Sequence, residues 1–247
     1  MPHADRRPSL STAQALEQLA GLPLQDTSTA KLLQTVADLT QQVVPGGVEA
    51  SVTLLDGQRP TTAATTGPLS AALDEAQYAS DQGPCLHSAV TGEPIEVADT
   101  RSESRWAAFV QQALAHGTLS SLSVPLPIST DLAGSLNIYA PQVGAFTDEA
   151  RSAAVRLASY AAGAARNVRD YEATQTLVER LRTELERDDV VHQAEGMVIE
   201  RHDVSAEAAH HLLTEAAGRA GSTVQHVAAR LVGTGELPDC GPADAGP

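Results

Sequence analysis

The sequence predicts an α+β fold: an antiparallel sheet with flanking helices, then a long helix, then a C-terminal bundle of three helices. Three observations carry this expectation. Strand-like and helix-like runs are mixed between residues 28 and 140 without the βαβ alternation that a parallel sheet needs. From Thr147 to Leu237 no proline occurs, and Gly163 and Gly196 are isolated within helical pattern. After Ser205 apolar residues recur at helical spacing in two short runs.

At 247 residues the chain is long enough for one large or two smaller domains, each with a working core. Its formal net charge of −15 repels polyanions at long range, so contact with nucleic acid requires a local patch or is weak. The start of the chain, "MPHADRRPSLSTAQ", is polar and lacks the apolar core of a leader, and no apolar run reaches membrane-spanning length. A cytoplasmic protein without membrane contact is expected. Cys85 and Cys240 lie far apart in sequence, and both are expected as free thiols.

Residues 1 to 9 read as a disordered tail. Two helical patterns come after it, and Ser28 is placed to cap the second, in which Leu32, Val36, Leu39 and Val43 share one face before Pro45-Gly46-Gly47. The run "VEASVTLLDG" alternates Val48, Ala50, Val52 and Leu54 to one side, Asp56-Gly57 signals a turn, and "TTAATT" is its hairpin partner. Next come a helix around 70–79, a turn at "DQGP", a short helix "CLHSAV" opened by Pro84, and the strand "PIEVAD". The helix "RWAAFVQQALAHG" stops on Gly117, as a left-handed cap requires. Two β-rich runs, "SSLSVPLPI" and "LAGSLNIYA", close the segment. Pro125 and Pro127 donate no ladder hydrogen bond, so their N–H sides must face an edge or a bulge.

Thr147 caps the long helix, whose first turn carries Asp148 and Glu149 at the positive end of the dipole. It is expected to continue to about Arg201 and to break at His202-Asp203. Tyr171, Val178 and Leu185 fall seven apart, with Thr174 and Leu181 between them, which is a short two-stranded seam; packing of the helix on its own domain is the other reading. Ser205 caps a helix presenting Ala209, Leu212, Leu213 and Ala216, and "GRAG" ends it. Ser222 with Gln225 spells a capping box for a last helix that buries Val224, Val227, Ala228 and Leu231 before Gly233. The Pro/Gly-rich tail reads as disordered.

The stretches "DQGPCLHSAVTGEPIEVADT", "RWAAFVQQALAHGTLSSLSVPL" and "GSLNIYAPQVGAFTDEA" resemble a GAF domain of the type found in actinobacterial regulators. The resemblance implies a six-stranded antiparallel sheet with helices on one side and a ligand-sized cavity on the other, which in that family holds a nucleotide, a haem, a tetrapyrrole or no known ligand. The stretch "VVHQAEGMVIERHDVSAEAA", with the two helical runs that complete the C-terminal bundle, resembles an ANTAR domain, the three-helix module of transcription antitermination regulators. Val191, Gln193, Ala194, Gly196 and Met197 fit its first helix, Ala209, Leu213 and Ala217 its second, and Val224, Val227 and Ala228 its third. The family's usual basic residues are replaced: Asp188, Glu195, Thr214, Thr223 and Gln225 stand where lysine or arginine is common, and His210 stands for an aromatic.

The implied division is a tail and helix (1–27), a GAF-like sensor (28–166), a coiled-coil linker (167–187), an ANTAR-like bundle (188–233) and a tail (234–247). The implied function is that of a cytoplasmic signal-sensing regulator, a homodimer whose ANTAR-like output holds two stem-loops of a structured leader RNA in antitermination. The alternative is a sensor and dimerisation module whose bundle has lost RNA and docks a protein partner. Between Asp188 and Val232 three basic residues (Arg201, Arg219, Arg230) face seven acids (Asp188, Asp189, Glu195, Glu200, Asp203, Glu207, Glu215). Each phosphate contact contributes a salt slope of about −0.9, so losing three or four costs orders of magnitude in affinity. What remains is shape or base recognition of an RNA loop, with Arg201, His202 and Arg219 as donors.

Among candidate chemical groups, Cys85 opens a short helix, where the dipole favours a thiolate, yet His87 is about 200° away around the helix and a buried thiol is the expected reading. His192, His202, His210, His211 and His226 lack the spacing of paired metal ligands. No glycine-rich phosphate loop, nucleophile elbow or zinc-protease motif occurs, and no enzyme is expected. Tyr78, Cys85, Trp106, Phe109 and Tyr139 are the expected wall of the GAF-like cavity, with an unidentified small-molecule ligand.

Overall fold

A computed structural model describes residues 10–23 and 27–236, with Glu186 described in its backbone only. The expected tails over 1–9 and beyond 236, and Cys240, lie outside these residues. The chain divides into two compact units after Glu172.

In the first unit, α1 (Thr12–Ala20) is capped by Ser11 and α2 (Thr29–Val43) by Ser28, whose hydroxyl accepts from the Lys31 amide at 3.3 Å. The hairpin comes next as β1 (Glu49–Asp56) and β2 (Arg59–Thr65), turning at Gly57, where φ is 60°. Then come α3 (Pro68–Ser80), α4 (Pro84–Thr91), β3 (Ile95–Val97), α5 (Ala107–Ala115), β4 (Ser120–Pro125) and β5 (Leu132–Ala140). The sheet is antiparallel throughout, in the order β2-β1-β5-β4-β3. It has five strands among the described residues, matching the five strand-like runs read from the sequence, where the resemblance implied six. Pro125 fits its strand for the reason expected: β3 pairs only as far as Ser123, so β4 is locally an edge at the proline.

One face of the sheet, with Val52, Leu122, Val124, Leu136 and Ile138, packs on Leu32, Leu33 and Val36 of α2 and on a stripe of the next helix, α6 (Asp148–His202). That stripe is Ala150, Ala154, Leu157, Ala158, Ala161, Ala165 and Val168, an i, i+3, i+4 pattern of small residues that lets α6 lie close. Arg151 adds a two-pronged contact to Glu96 on β3. The second face is also covered. Ser51, Thr53, Ser121, Ser123, Ser135 and Asn137 alternate with the apolar set and are fully buried, because α3, α4 and α5 pack there. Helices therefore occupy both faces, where the resemblance implied helices on one and a cavity on the other.

Gly134 marks a close approach at the centre of the sheet. A Cβ there would stand 2.3 Å from the Thr53 carbonyl oxygen, a backbone atom that cannot swing away. Gly134→Ala is expected to cost the first unit about 3 kcal/mol, read as a lowered thermal midpoint, since overpacking a sheet interior forces backbone to shift.

Thr147 caps α6, its hydroxyl accepting from the Ala150 amide at 3.3 Å. The helix runs 55 residues and ends where Asp203 turns left-handed at φ 50°. In the second unit its last turns join α7 (Ala206–Arg219) and α8 (Val224–Thr234) around Val191, Ala194, Val198, Ala209, Leu213, Ala217, Val227, Ala228 and Leu231. Ser205 caps α7 as expected, accepting from the Ala208 amide. The cap of α8 differs: Thr223, not Ser222, accepts from the His226 amide at 3.3 Å, because Ser222 is still closing the turn after α7 with its amide on the Ala217 carbonyl. The helix also passes the expected stop at Gly233 and ends at Thr234, since the left-handed cap is Gly235, at φ 75°.

Candidate functional site

The α3 face turned to the sheet presents Asp74, Gln77 and Tyr78 at i, i+3 and i+4, so three polar groups enter the layer above the small hydroxyls of β1, β4 and β5. Asp74 is fully buried. Its Oδ1 accepts from the Tyr139 hydroxyl at 2.7 Å and from Ser51 at 3.0 Å, and its Oδ2 accepts from Thr62 at 3.0 Å. Burial pushes the Asp74 carboxyl up from 3.8 to about 6, even though these hydroxyls pull the other way. The Tyr78 hydroxyl bonds Thr53 at 2.9 Å and Thr62 at 3.0 Å, and burial raises its phenol. Asn137 donates to Ser51 and Thr53 from β5.

Gln77 ties this layer to α4. Its Oε1 accepts from the Cys85 amide at 2.9 Å and its Nε2 donates to the Tyr139 hydroxyl at 3.2 Å. The motif "DQGPC" is legible in these terms: a Cβ on Gly83 would sit 2.3 Å from the Gln77 side chain, so only glycine lets the carboxamide reach the start of α4. Cys85 is buried beneath it, and desolvation, then the neighbouring Asp74 charge, hold its thiol well above its ordinary value. The helix dipole that favours a thiolate at this position is outweighed.

The five expected wall residues all lie between the sheet and α3–α5. Phe109 and Tyr139 stand with ring centroids 6.5 Å apart, in one cluster with Trp106, Leu73 and Val97, while Tyr78 and Cys85 belong to the polar layer. Of these, Trp106 also lines an open cavity. That cavity, of about 600 Å³, lies between the β1–β2 turn, the α3–α4 turn, α4 and Trp106, with Gln58, Asp81, Leu86, His87 and Val90 on its walls. The rings of His87 and Trp106 are 5.8 Å apart, and the Arg105 guanidinium lies 4.2 Å from the indole centroid while bound to Glu103 at 2.7 Å. Asp74, Gln77, Asn137 and Ser51 were missed at the level of sequence. Ser51 and Asn137 alternate with apolar residues in their strands and so read as a solvent face, while Asp74 and Gln77 read as the polar side of a surface helix; only the burial of α3 against that sheet face reveals all four.

The second unit places its three expected RNA donors differently from one another. Arg201 donates to the Gly235 carbonyl at 2.8 Å and so closes the end of α8. Arg219 lies 3.7 Å from Glu215, and His202 is exposed in the last turn of α6. Glu195, which stands where the resembled family carries lysine, meets the His210 ring at 2.6 Å and links α6 to α7. The acid has a partner in the helix pair and is more than a surface charge.

The architecture is that of an α+β sheet unit and a three-helix unit, with α6 contributing to the core of each. The sequence matches the GAF domain over residues 26–165, more than half of the chain, and the ANTAR domain over residues 179–232. The chain belongs to the GAF domain family and carries an ANTAR domain after it; together they define a signal-sensing regulator with an RNA-binding output. No curated protein matches the sequence. Among solved structures, a domain of a putative two-component sensor histidine kinase from Sinorhizobium meliloti is 18% identical, with 61% of this chain and 99% of that chain covered and a TM-score of 0.51. The free methionine-R-sulfoxide reductase of Neisseria meningitidis, in complex with its substrate, is 17% identical, with 65% and 89% covered and a TM-score of 0.51. The phycoerythrobilin-bound GAF domain of a cyanobacterial phytochrome is 14% identical, with 65% and 96% covered and a TM-score of 0.50. These likenesses concern fold alone. No helix among the described residues is long and apolar enough to cross a membrane.

Proposed function

We propose that the protein is a cytoplasmic, homodimeric, non-enzymatic antitermination regulator. Its GAF domain takes a small molecule, α6 passes the change on, and the ANTAR domains of two copies grip the two stem-loops of a leader transcript. The single observation that carries this reading is α6, 55 residues without interruption from inside one matched domain to inside the other. Along its middle Val178, Leu181 and Leu185 keep heptad positions and are 39%, 48% and 64% exposed, apolar surface that a second α6 in parallel register would cover. A paired helix of this kind is a two-state element whose register both ends bias, which is what coupling between input and output requires.

Electrophoretic titration of an RNA carrying two stem-loops, across a salt series, tests the reading. The wild-type protein is expected to bind at low ionic strength with a shallow salt dependence. Asp188→Arg is expected to steepen the slope by about one unit and tighten binding several-fold, since it adds a phosphate contact on an exposed residue. Glu195→Lys gains less, because it also breaks the contact to His210. Wild-type protein that shows no salt-sensitive binding at low ionic strength overturns the reading and favours a bundle that docks a protein.

A further inference from the structure

The cavity beside Trp106 has a chemistry that neither the polar layer nor the terminal bundle shares. Its charged wall residue is Asp81, and the neighbouring cleft that shares Leu55, Gly57 and Val90 with it adds Asp56 and Asp131. Neither lysine nor arginine lines either cleft among the described residues, so a phosphate or carboxylate entering there meets no counter-charge. Trp106 in its wall is 7% exposed, and its indole already attracts a planar cation, Arg105, whose charge Glu103 neutralises. Leu55, Leu86 and Val90 give its walls apolar surface, and Val90 is 73% exposed. A volume of about 600 Å³ is the size of a small-molecule site.

We propose that this cavity binds a small organic cation with an apolar body, of the arylalkylamine class, its ammonium group against Asp81 and its hydrocarbon part against Trp106, Leu86 and Val90. The assignment rests on the sensor reading and supplies the ligand class that reading lacks. Apolar contact with Leu86 and Val90 gives affinity without preference of sign, and Asp81 with the negatively charged protein gives the preference for a cation. The position of the cavity, at the mouth of α4 and the α3–α4 turn, places a ligand one residue from Pro84 and Cys85, and hence next to the Gln77 contact that ties α4 to the polar layer.

Trp106 is the only tryptophan of the chain, so its fluorescence reports this cavity directly. The full-length protein is titrated with three molecules of one shape: phenethylammonium, 3-phenylpropionate and 2-phenylethanol. A saturable change in Trp106 emission is expected with the amine, with the carboxylate at least about tenfold weaker. Asp81→Asn keeps the left-handed residue of the α3 cap in a side chain that tolerates it, and is expected to weaken the amine about fivefold while leaving the alcohol unchanged. Carboxylate binding as tightly as amine overturns the proposal, and so does a Trp106 signal that none of the three saturates in protein that still binds RNA. In the latter case the regulator reading stands and only the ligand class falls; amine binding with no RNA binding leaves the ligand class standing and removes the regulator reading.

Discussion

Under the proposed pairing of two α6 helices, Leu181→Glu is expected to leave a monomer of 25.7 kDa and to weaken binding to a two-stem-loop RNA by about a hundredfold or more. Both effects have one cause. Leu181 is 48% exposed on α6 between Val178 and Leu185, so it contributes little to either folded unit and its carboxylate replacement stays in water in a single chain. In a paired seam the same carboxylate would face its own copy across the axis, where like charges are desolvated and repel. The proposed seam spans only two heptads from Tyr171 to Leu185, so one such pair is expected to open it. Each ANTAR domain then meets a stem-loop alone, and the gain from tethering two weak contacts is lost. Light scattering reads the mass, and circular dichroism with an unchanged unfolding profile shows that the helices remain.

Asp74→Asn is expected to raise the stability of the sensor unit at pH 8 and to have little effect at pH 4. The wild-type carboxyl sits near 6 in the fold against 3.8 in a free chain, because burial disfavours its charge. A folded-state value above the unfolded one means that the fold binds the proton more tightly. The contribution is greatest below 3.8, fades as pH rises to 6 and is gone above it. The two-unit difference corresponds to about 3 kcal/mol. An amide keeps an oxygen to accept from Tyr139 and Ser51 without the charge, so thermal unfolding of the variant loses this part of the pH dependence. Asp74→Ala separates charge from hydrogen bonding. It leaves the hydroxyls of Tyr139, Ser51 and Thr62 without their acceptor and destabilises across the range.

The elements were largely legible because each is written locally. Leu32, Val36 and Leu39 repeat at helical spacing, Asp56-Gly57 turns a hairpin, and Thr147 opens a helix that nothing stops before Asp203. The bundle core was legible for the same reason, since Ala194, Leu213 and Val227 are spaced for burial whatever the surface carries. What the chain does not write locally is which side of a strand a second layer will cover. Ser51, Thr53, Ser123 and Asn137 alternate as a solvent face would, and they are buried only because α3 and α4, joined through Gln77 and Gly83, fold back over them. The candidate site obeyed that pattern: Trp106 reaches the open cavity, while Tyr78, Cys85, Phe109 and Tyr139 fill the interior between it and the sheet. Charge was equally silent about contacts. Glu195 and Arg201 read as surface groups, yet one holds His210 and the other the end of α8.

The proposed regulation requires two copies of the chain to act together on one RNA through α6 and the terminal bundle. The mass of the complex formed with an RNA carrying two stem-loops, measured by light scattering at low ionic strength, tests this most directly. A single species of two chains and one RNA is the predicted result. Protein and RNA eluting separately, or a complex of one chain with one RNA, would contradict it.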